Sequence, residues 1–281
     1  MAETGDVSTP AKKDSLALRV ITSIILIPSV LISVYFGGRL FSAVVAFACI
    51  VMVFEWTRMV ERREFSFSFY VIAFSAAVAL FVAASGHYFA AYGICTVGGV
   101  ASFAAMRRRD GARWASFAAP YIVAPSIALL WLRLDAEQGL ALTFLLYAVV
   151  WAGDTGAYTF GKLVGGPKVS PILSPAKTWA GIVGGVIAGG LAGIGVGHFY
   201  VGGPVVAAFF VGGSLGAASV IGDMVESAFK RSFGVKDISG FIPGHGGALD
   251  RMDGMIFATT AMTSVLFAYM LAERAQGLLA G

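Results

Sequence analysis

Nine long apolar stretches dominate the sequence, and each has about the length of a helix that crosses a lipid bilayer. About 20 apolar residues are needed to span the hydrocarbon core as an α-helix. The stretches lack the alternation of apolar and polar residues that a transmembrane β-strand requires. They lie at about residues 17–36, 40–57, 67–85, 88–105, 115–133, 139–160, 178–200, 203–229 and 253–273. The pattern predicts an all-α fold, a polytopic integral membrane helical bundle of about nine transmembrane helices.

The composition excludes the common classes of soluble protein. Hydrophobic residues make up 58% of the 281 residues and charged residues only 13%, whereas a soluble domain has about 25% charged residues. Cys49 and Cys95 lie within apolar stretches, so neither a disulfide framework nor a thiolate metal site is indicated. A typical cytosolic enzyme, a secreted disulfide scaffold and a disordered chain are therefore excluded. The net charge of +4 indicates basic loops of a membrane protein and no nucleic-acid partner.

The distribution of basic residues predicts the orientation of the helices. If the N-terminus is cytoplasmic, 17 of the 20 Lys and Arg residues lie in cytoplasmic segments, and only Arg39, Arg133 and Arg274 lie outside. Basic residues accumulate on the cytoplasmic side of membrane proteins. The sequence therefore predicts a cytoplasmic tail at 1–16, an N-terminal membrane domain of about five helices at 17–133 and a C-terminal membrane domain of about four helices at 139–273.

A stripe of glycines marks the seventh stretch. Small residues at every fourth position form a groove that lets a second helix approach closely. Tight packing within the bundle and a homodimer contact are both compatible with this stripe. Its members are Gly181, Gly185, Gly189, Gly193 and Gly197.

Ionisable residues are rare in the first five stretches. Glu55 lies near a cytoplasmic end, close to Arg58, and we expect an interfacial side chain paired with a neighbouring arginine. The run from Arg107 to Asp110 is expected to be a solvated loop that sets the topology.

The C-terminal half has a different character, because carboxylates lie within or beside its apolar stretches. Asp154 lies near the cytoplasmic end of the sixth stretch, and Asp223 and Glu226 lie near the same end of the eighth. Acidic residues at such depth are costly and tend to mark functional sites. Ser227, Lys230 and Arg231 follow at offsets that place them on the same helix face as Asp223 and Glu226.

The segment after the eighth stretch is predicted to be a polar, glycine-rich loop that extends to residue 254. Glycines allow the backbone to approach a ligand closely, and backbone N–H groups can bind phosphate oxygens. The ionisable residues of this segment are Lys236, Asp237, His245, Asp250, Arg251 and Asp253.

Carboxylates beside Lys and Arg favour a hard cation such as Mg²⁺, which carboxylates and substrate phosphates bind together. His87, His198 and His245 lie in separate segments, so a zinc site is not indicated. The combination at a membrane surface points to phosphoryl or nucleotidyl transfer. The sequence contains no Walker motif and no GxSxG motif, which excludes a P-loop enzyme and leaves a serine hydrolase without support.

The segment between the sixth and seventh stretches adds further cations, Lys162, Lys168 and Lys177. The residues from Ser174 to Thr178 are predicted to form a turn that leads into a helix. The N–H groups at such a helix start could bind an anion.

These motifs together resemble the phosphatidate cytidylyltransferase family (CDP-diacylglycerol synthases). The resemblance is specific over about residues 150–254 and includes the Asp154–Tyr158 and Ser174–Trp179 stretches. Ala180, where family members often carry a polar residue, and Ala248 depart from the pattern. The remaining motif residues are Ser227-x-Phe229-Lys230-Arg231, Lys236-Asp237, Pro243-x-His245-Gly246-Gly247 and Asp250-Arg251-x-Asp253.

The resemblance implies a reaction in which CTP and phosphatidate give CDP-diacylglycerol and pyrophosphate, catalysed by the C-terminal domain with Mg²⁺ and compatible with a second cation. The implied location is the bacterial inner (plasma) membrane, with the active site on the cytoplasmic side. The implied catalytic residues are Asp223, Lys230, Arg231, Asp250, Arg251 and Asp253, and the implied metal ligands are Asp223, Asp250, Asp253 and Asp154. The implied substrate-binding residues are Ser174, Lys177, Thr178, Ser227, Lys236, His245, Gly246 and Gly247.

Other functions remain as alternatives. A transporter or lipid flippase would use the intramembrane acids for ion coupling, although its site would be expected near the bilayer midplane. A catalytically inactive relative with a structural role is a further alternative, and the intact set of Asp, Lys and Arg residues argues against it. A nucleotidyl- or phosphotransferase that acts on another lipid phosphate is the nearer alternative.

Overall fold

The structure, a computed structural model, describes residues 12–106, 112–171, 174–235, 238–239 and 246–280. Its regular elements are almost all helical. The helices are α1 (Lys12–Phe36), α2 (Gly38–Glu61), α3 (Phe67–Ala84), α4 (Tyr88–Met106), α5 (Ala112–Ala115), a π-helical segment (Ala119–Val123), α6 (Ala124–Leu134), α7 (Gly139–Leu163), α8 (Trp179–Gly193), a second π-helical segment (Ile194–Val201), α9 (Val205–Ser232) and α10 (Leu249–Ala280).

Eight helical spans in the described residues are long and apolar enough to cross a membrane. The apolar part of α1, Val20–Phe36, is shorter. Large apolar side chains such as Phe81, 75% exposed, and Phe89, 84% exposed, cover the outside of the bundle, as expected for a surface that faces lipid. The all-α membrane fold is confirmed, and the predicted stretches coincide with these helices to within a few residues except at α10 and at the start of α1.

The glycine stripe of α8 packs within the bundle. A Cβ atom at Gly185 would lie 3.0 Å from the carbonyl oxygen of Gly153 on α7. A Cβ atom at Gly189 would lie 3.0 Å from the carbonyl oxygen of Gly212 on α9. The stripe therefore seats α8 between α7 and α9, which confirms the packing interpretation.

The two halves of the chain meet in a cluster of aromatic rings. Trp56 of α2 is fully buried and lies 5.0 Å, centroid to centroid, from Phe229 of α9. Tyr121 of the first π-helical segment lies 5.2 Å from Trp56 and 5.8 Å from Phe229. Burial of such rings is a large apolar contribution to stability, so this cluster joins the helices before Gly139 to the C-terminal ones.

Two local predictions are wrong. Ser174–Thr178 forms a β-strand, β2, that pairs antiparallel with β1, Lys168–Ser170; only the helix start that follows it was predicted correctly. The polar loop was expected to reach residue 254, but α10 begins at Leu249. Asp250 and Asp253 therefore lie in the first turns of a helix. The physical reason is that the carboxylate of Glu55 on α2 accepts hydrogen bonds from the N–H groups at the start of α10.

Candidate active site

The antiparallel helices α9 and α10 bring three carboxylates together near the start of α10. Asp223 and Glu226 lie three residues apart on one face of α9, and Asp253 lies in the second turn of α10. One carboxylate oxygen from each residue lies within 4.8 Å of those from the other two. Glu226 and Asp253 are buried, and Asp223 is half-buried. We call these three residues the carboxylate cluster.

Glycines allow the two helices to approach closely at this level. A Cβ atom at Gly222 would lie 2.5 Å from the carbonyl oxygen of Asp253. A Cβ atom at Gly254 would collide with the hydroxyl of Ser219. Larger residues at either position would push α9 and α10 apart, so these glycines fix the spacing within the carboxylate cluster.

Two lysines neutralise part of this negative charge. Lys230, one turn after Glu226, lies 3.2 Å from the carboxylate of Glu226 and 2.7 Å from that of Asp250. Lys177 of β2 lies 2.7 Å from the carboxylate of Asp223. The two lysines lie on different elements, so β2 and α9 each supply a cation to the same acidic centre.

The carboxylate of Asp250 makes contacts through both of its oxygens. Oδ1 accepts a hydrogen bond from Lys230 Nζ at 2.7 Å, and Oδ2 accepts one from the Gly247 N–H at 3.0 Å. A Cβ atom at Gly247 would lie 3.1 Å from Asp250 Oδ2 and 3.0 Å from each carboxylate oxygen of Glu55. Glycine is therefore required at 247, because the backbone is held between two carboxylates.

Glu55 does not pair with a neighbouring arginine, and the prediction for this residue was wrong. Its side chain is 0% exposed. It accepts hydrogen bonds from the N–H groups of Ala248 at 3.0 Å and Leu249 at 2.8 Å, and from the Ser239 hydroxyl. The first N–H groups of a helix lack partners within the helix and favour a negative charge. Glu55 thus fixes the start of α10, the helix that carries Asp250 and Asp253, whereas Arg58 pairs with Glu64.

The other residues expected at the site surround this centre at different distances. Asp154 on α7 interacts electrostatically with Asp223, Lys177 and Arg251. The Thr178 hydroxyl accepts a hydrogen bond from the Gly181 N–H at 3.1 Å, so Thr178 caps α8.

The remaining expected residues that the structure describes lie on α9, in β2 and just before α10. Arg231 is exposed and donates to the carbonyl oxygen of Val235 at 3.3 Å. Ser174 begins β2, Ser227 is half-buried on α9, and Gly246 has a φ of 85°. Lys236 and His245 lie outside the described residues.

Sequence reasoning noted Glu226 on the face of Asp223 but did not assign it as a metal ligand. The three-residue spacing was the signal that could have done so. The sequence analysis did not identify Tyr121, whose hydroxyl interacts electrostatically with all three members of the carboxylate cluster. The sequence offers no signal for Tyr121, because the contact depends on how the halves pack.

The carboxylate cluster fits a hard divalent cation. Glu226 Oε1 is buried and, within the described part of the chain, has no hydrogen-bond partner. An unpaired buried carboxylate oxygen is costly, and the only ligand atoms of the cluster are oxygens, which Mg²⁺ prefers. Asp223, Glu226 and Asp253 are therefore the residues that could hold Mg²⁺. The predicted roles of Asp250 and Asp154 as ligands stay predictions.

Comparisons with known proteins show the family of the chain. Residues 17–269 match the model of the family described as the cytidylyltransferase family. A protein of Brucella suis biovar 1 named phosphatidate cytidylyltransferase is 34% identical over 268 residues, which cover 92% of this chain and 95% of the relative. A protein of the same name from Haemophilus influenzae is 31% identical over 272 residues, covering 85% of this chain and 94% of the relative. The chain belongs to the cytidylyltransferase family.

Proposed function

We propose that this membrane protein is a phosphatidate cytidylyltransferase, which transfers CMP from CTP to phosphatidate and releases pyrophosphate. The observation that carries the proposal is the carboxylate cluster with its two lysines at one end of a membrane helix bundle. The names of relatives that match nearly the whole chain agree with it. The product, CDP-diacylglycerol, would serve phospholipid biosynthesis.

The reaction needs no nucleophile from the protein. A phosphate oxygen of phosphatidate attacks the α-phosphorus of CTP, a new P–O bond forms, and the bond to the bridging oxygen breaks so that pyrophosphate leaves. Both substrates are anions, so the site must lower their mutual repulsion and align the attacking oxygen with the leaving group. Lys177, Lys230 and Arg251 are the cations that we assign to this task.

The carboxylates hold these cations in place before substrates bind. Lys230 is fixed between Glu226 and Asp250, and Lys177 is fixed by Asp223. Groups that are already oriented need no reorganisation during the reaction. The lysine N–H groups that do not contact carboxylates are available to phosphate oxygens, because an ammonium group has three donors.

Asp223, Glu226 and Asp253 would hold Mg²⁺ in this proposal. When bound, Mg²⁺ neutralises charge on the phosphate oxygens of the nucleotide. Asp154, which interacts electrostatically with Asp223, would support the same centre, and the site is compatible with a second cation.

The remaining expectations complete the proposal. CTP would be bound by Ser174, Thr178, Ser227 and the backbone of Gly246 and Gly247, together with Lys236, His245 and Arg231. The protein would lie in the bacterial inner membrane with its N-terminus and active site on the cytoplasmic side. Phosphatidate would enter sideways from the bilayer, because transferring its acyl chains to water is costly. A homodimer remains compatible with this arrangement.

The test is transfer of label from radioactive CTP to lipid by the purified protein in detergent, with phosphatidate and Mg²⁺. We expect labelled CDP-diacylglycerol from the wild type and at least a 100-fold lower rate from Asp253→Asn, since buried charge-stabilising groups contribute about that much. Asp135→Asn, which changes an exposed carboxylate far from the cluster, is the matched control.

Two outcomes would contradict the proposal. A folded wild type that labels no phosphatidate, but labels another lipid phosphate, would assign a different transferase. Full activity of Asp253→Asn would leave the reaction in place and remove the carboxylate cluster from it.

A further inference from the structure

Tyr121 is a buried tyrosine whose hydroxyl lacks a visible partner. It lies in the π-helical segment Ala119–Val123, in the first half of the chain, and is 6% exposed. Within the described residues its hydroxyl oxygen has no hydrogen-bond partner. Buried tyrosine hydroxyls usually find one, and π-helical turns frequently occur at functional sites. We therefore expect the hydroxyl to have a hydrogen-bond partner in the active site.

The ring contacts of Tyr121 indicate where that partner lies. Its centroid lies 5.8 Å from that of Phe229 and 6.3 Å from that of Phe257. Phe229 follows Glu226 by three residues on α9, and Phe257 follows Asp253 by four residues on α10. Residues three or four apart share one face of a helix. Tyr121 is thus held against the faces that carry the carboxylate cluster.

Glu226 supplies the complementary atom. The charges of Glu226, Asp253 and Asp223 all act on the Tyr121 hydroxyl. Glu226 Oε2 lies 3.2 Å from Lys230, whereas Oε1 is buried and without a hydrogen-bond partner in the described chain. Tyr121 packs against Phe229, which lies one turn from Glu226 on α9. A buried donor and a buried acceptor, each without a hydrogen-bond partner in the described residues, therefore lie on the same side of this helix.

We propose that Tyr121 is a positioning residue for the carboxylate cluster. Its O–H donates a hydrogen bond to the Glu226 carboxylate through one buried water and fixes the orientation of that carboxylate for a divalent cation. Hydrogen bonds to metal-binding carboxylates hold them in the geometry that the metal requires. This inference rests on the part of the proposed function in which the cluster binds Mg²⁺.

The inference gives the N-terminal half a direct role at the site. Tyr121 approaches α9 and α10 from the span at Arg113–Leu134, which lies outside the C-terminal sequence motifs. The hydroxyl adds no charge and forms no bond to substrate. Its contribution should therefore appear in cation affinity, with little effect on CTP affinity once the cation is saturating.

The test compares Tyr121→Phe with wild type in equilibrium binding of Mn²⁺, followed by the electron paramagnetic resonance signal of free Mn²⁺ in the absence of CTP. The substitution removes only the hydroxyl and keeps the ring contacts with Phe229. We expect the Kd for Mn²⁺ to rise about 10- to 100-fold, the usual effect of losing such a partner. Tyr147→Phe is the matched control, since Tyr147 is equally buried but packs on Trp151 away from the cluster, and we expect no change.

A double substitution tests whether Tyr121 acts through Glu226. Adding Tyr121→Phe to Glu226→Gln should change the Kd little beyond the Glu226→Gln effect, because the coupled contact is already altered. Independent, additive effects would contradict the proposed contact. An unchanged Kd in Tyr121→Phe, or no saturable Mn²⁺ binding by the wild type, would overturn the inference.

Thermal unfolding separates a positioning role from a packing role. A packing defect would lower the unfolding temperature equally with and without Mg²⁺, and this outcome would overturn the inference. Loss of positioning would instead reduce the increase in unfolding temperature that saturable Mg²⁺ binding produces. These readouts do not use CTP or phosphatidate, so failure of the proposed reaction and failure of this inference are distinguishable.

Discussion

Substituting Glu55 by Gln should destabilise the protein, although the two side chains have nearly the same shape. Glu55 Oε1 accepts from Ser239 and Ala248, and Oε2 accepts from Leu249. If the amide oxygen of Gln replaces Oε1 and accepts from Ser239 and Ala248, the NH₂ group replaces Oε2 and faces the Leu249 N–H. Two donors then meet in a buried site, and the charge at the start of α10 is lost.

The magnitude follows from these contacts. A hydrogen bond to a charged group contributes about 1.5–3 kcal/mol, and leaving a buried donor unsatisfied costs about 1–3 kcal/mol. The interaction with the helix dipole adds about 0.3–1 kcal/mol. Because Gln retains the other two bonds in neutral form, we expect Glu55→Gln to lower the free energy of unfolding by about 2–4 kcal/mol. For a chain of this size the unfolding temperature should fall by about 3–7 °C.

The assay is thermal unfolding in detergent, paired with the rate of CDP-diacylglycerol synthesis. Since Glu55 fixes the helix that carries Asp250 and Asp253, we expect the substitution to reduce kcat by at least about tenfold, as small misplacements of catalytic groups are costly. Glu64→Gln is the control, because Glu64 is 65% exposed and its contact with Arg58 is 3.5 Å. Such surface pairs contribute little.

The result that refutes this reasoning is equal unfolding of Glu55→Gln and Glu64→Gln. It would mean that the N–H groups at the start of α10 find other partners without cost. A stability loss without any change in kcat would keep the helix-start contact but remove its influence on the active site.

Three further predictions concern the cluster and the packing around it. Asp250→Asn should slow the reaction, because Lys230 loses one of its two carboxylate contacts. Measured by Mn²⁺ binding, it should change the Kd less than Asp253→Asn does. Equal changes in Kd would indicate that Asp250 is also a metal ligand. Gly189→Ala should lower the free energy of unfolding by about 1–3 kcal/mol through overpacking, whereas Gly195→Ala, with nothing within 4 Å of the new Cβ, should be neutral in thermal unfolding. Arg133→Gln should lower the unfolding temperature, because Arg133 donates to the carbonyl oxygens of Val34 at 2.6 Å and Tyr35 at 3.0 Å at the end of α1; an unchanged temperature would contradict this.

The helices could be predicted from the sequence because each depends on its own composition. An apolar stretch of about 20 residues specifies a membrane span locally, and the stripe from Gly181 to Gly197 specifies close packing of the helix that contains it. The start of α10 could not be predicted in this way. It depends on Glu55, which lies 194 residues before Leu249 in the chain, and no local pattern reports that contact.

In the candidate site too, contacts between residues close in sequence could be predicted, whereas contacts between distant segments could not. Asp223 and Glu226 were found together because one helix turn joins them. Tyr121 was missed because its role depends on packing between the π-helical segment and α9. Ser174–Thr178 was taken for a turn because Ser and Pro are frequent in turns, whereas pairing with Lys168–Ser170 makes it a strand.

The depth of the carboxylate cluster explains why its charges are compensated before any substrate binds. Helix α9 has 28 residues and is therefore about 42 Å long, close to the thickness of a bilayer with its headgroups, about 40–45 Å. Asp223 lies nine residues before the end of α9, about 13 Å along its axis, and the headgroup layer on each side is only about 5–8 Å thick. The cluster thus lies farther along α9 from its C-terminal end than one headgroup layer is thick, and an uncompensated buried carboxylate in a membrane span is costly. Lys177 and Lys230 reduce this cost, and in the proposed function the same lysines would bind the phosphates of the substrates.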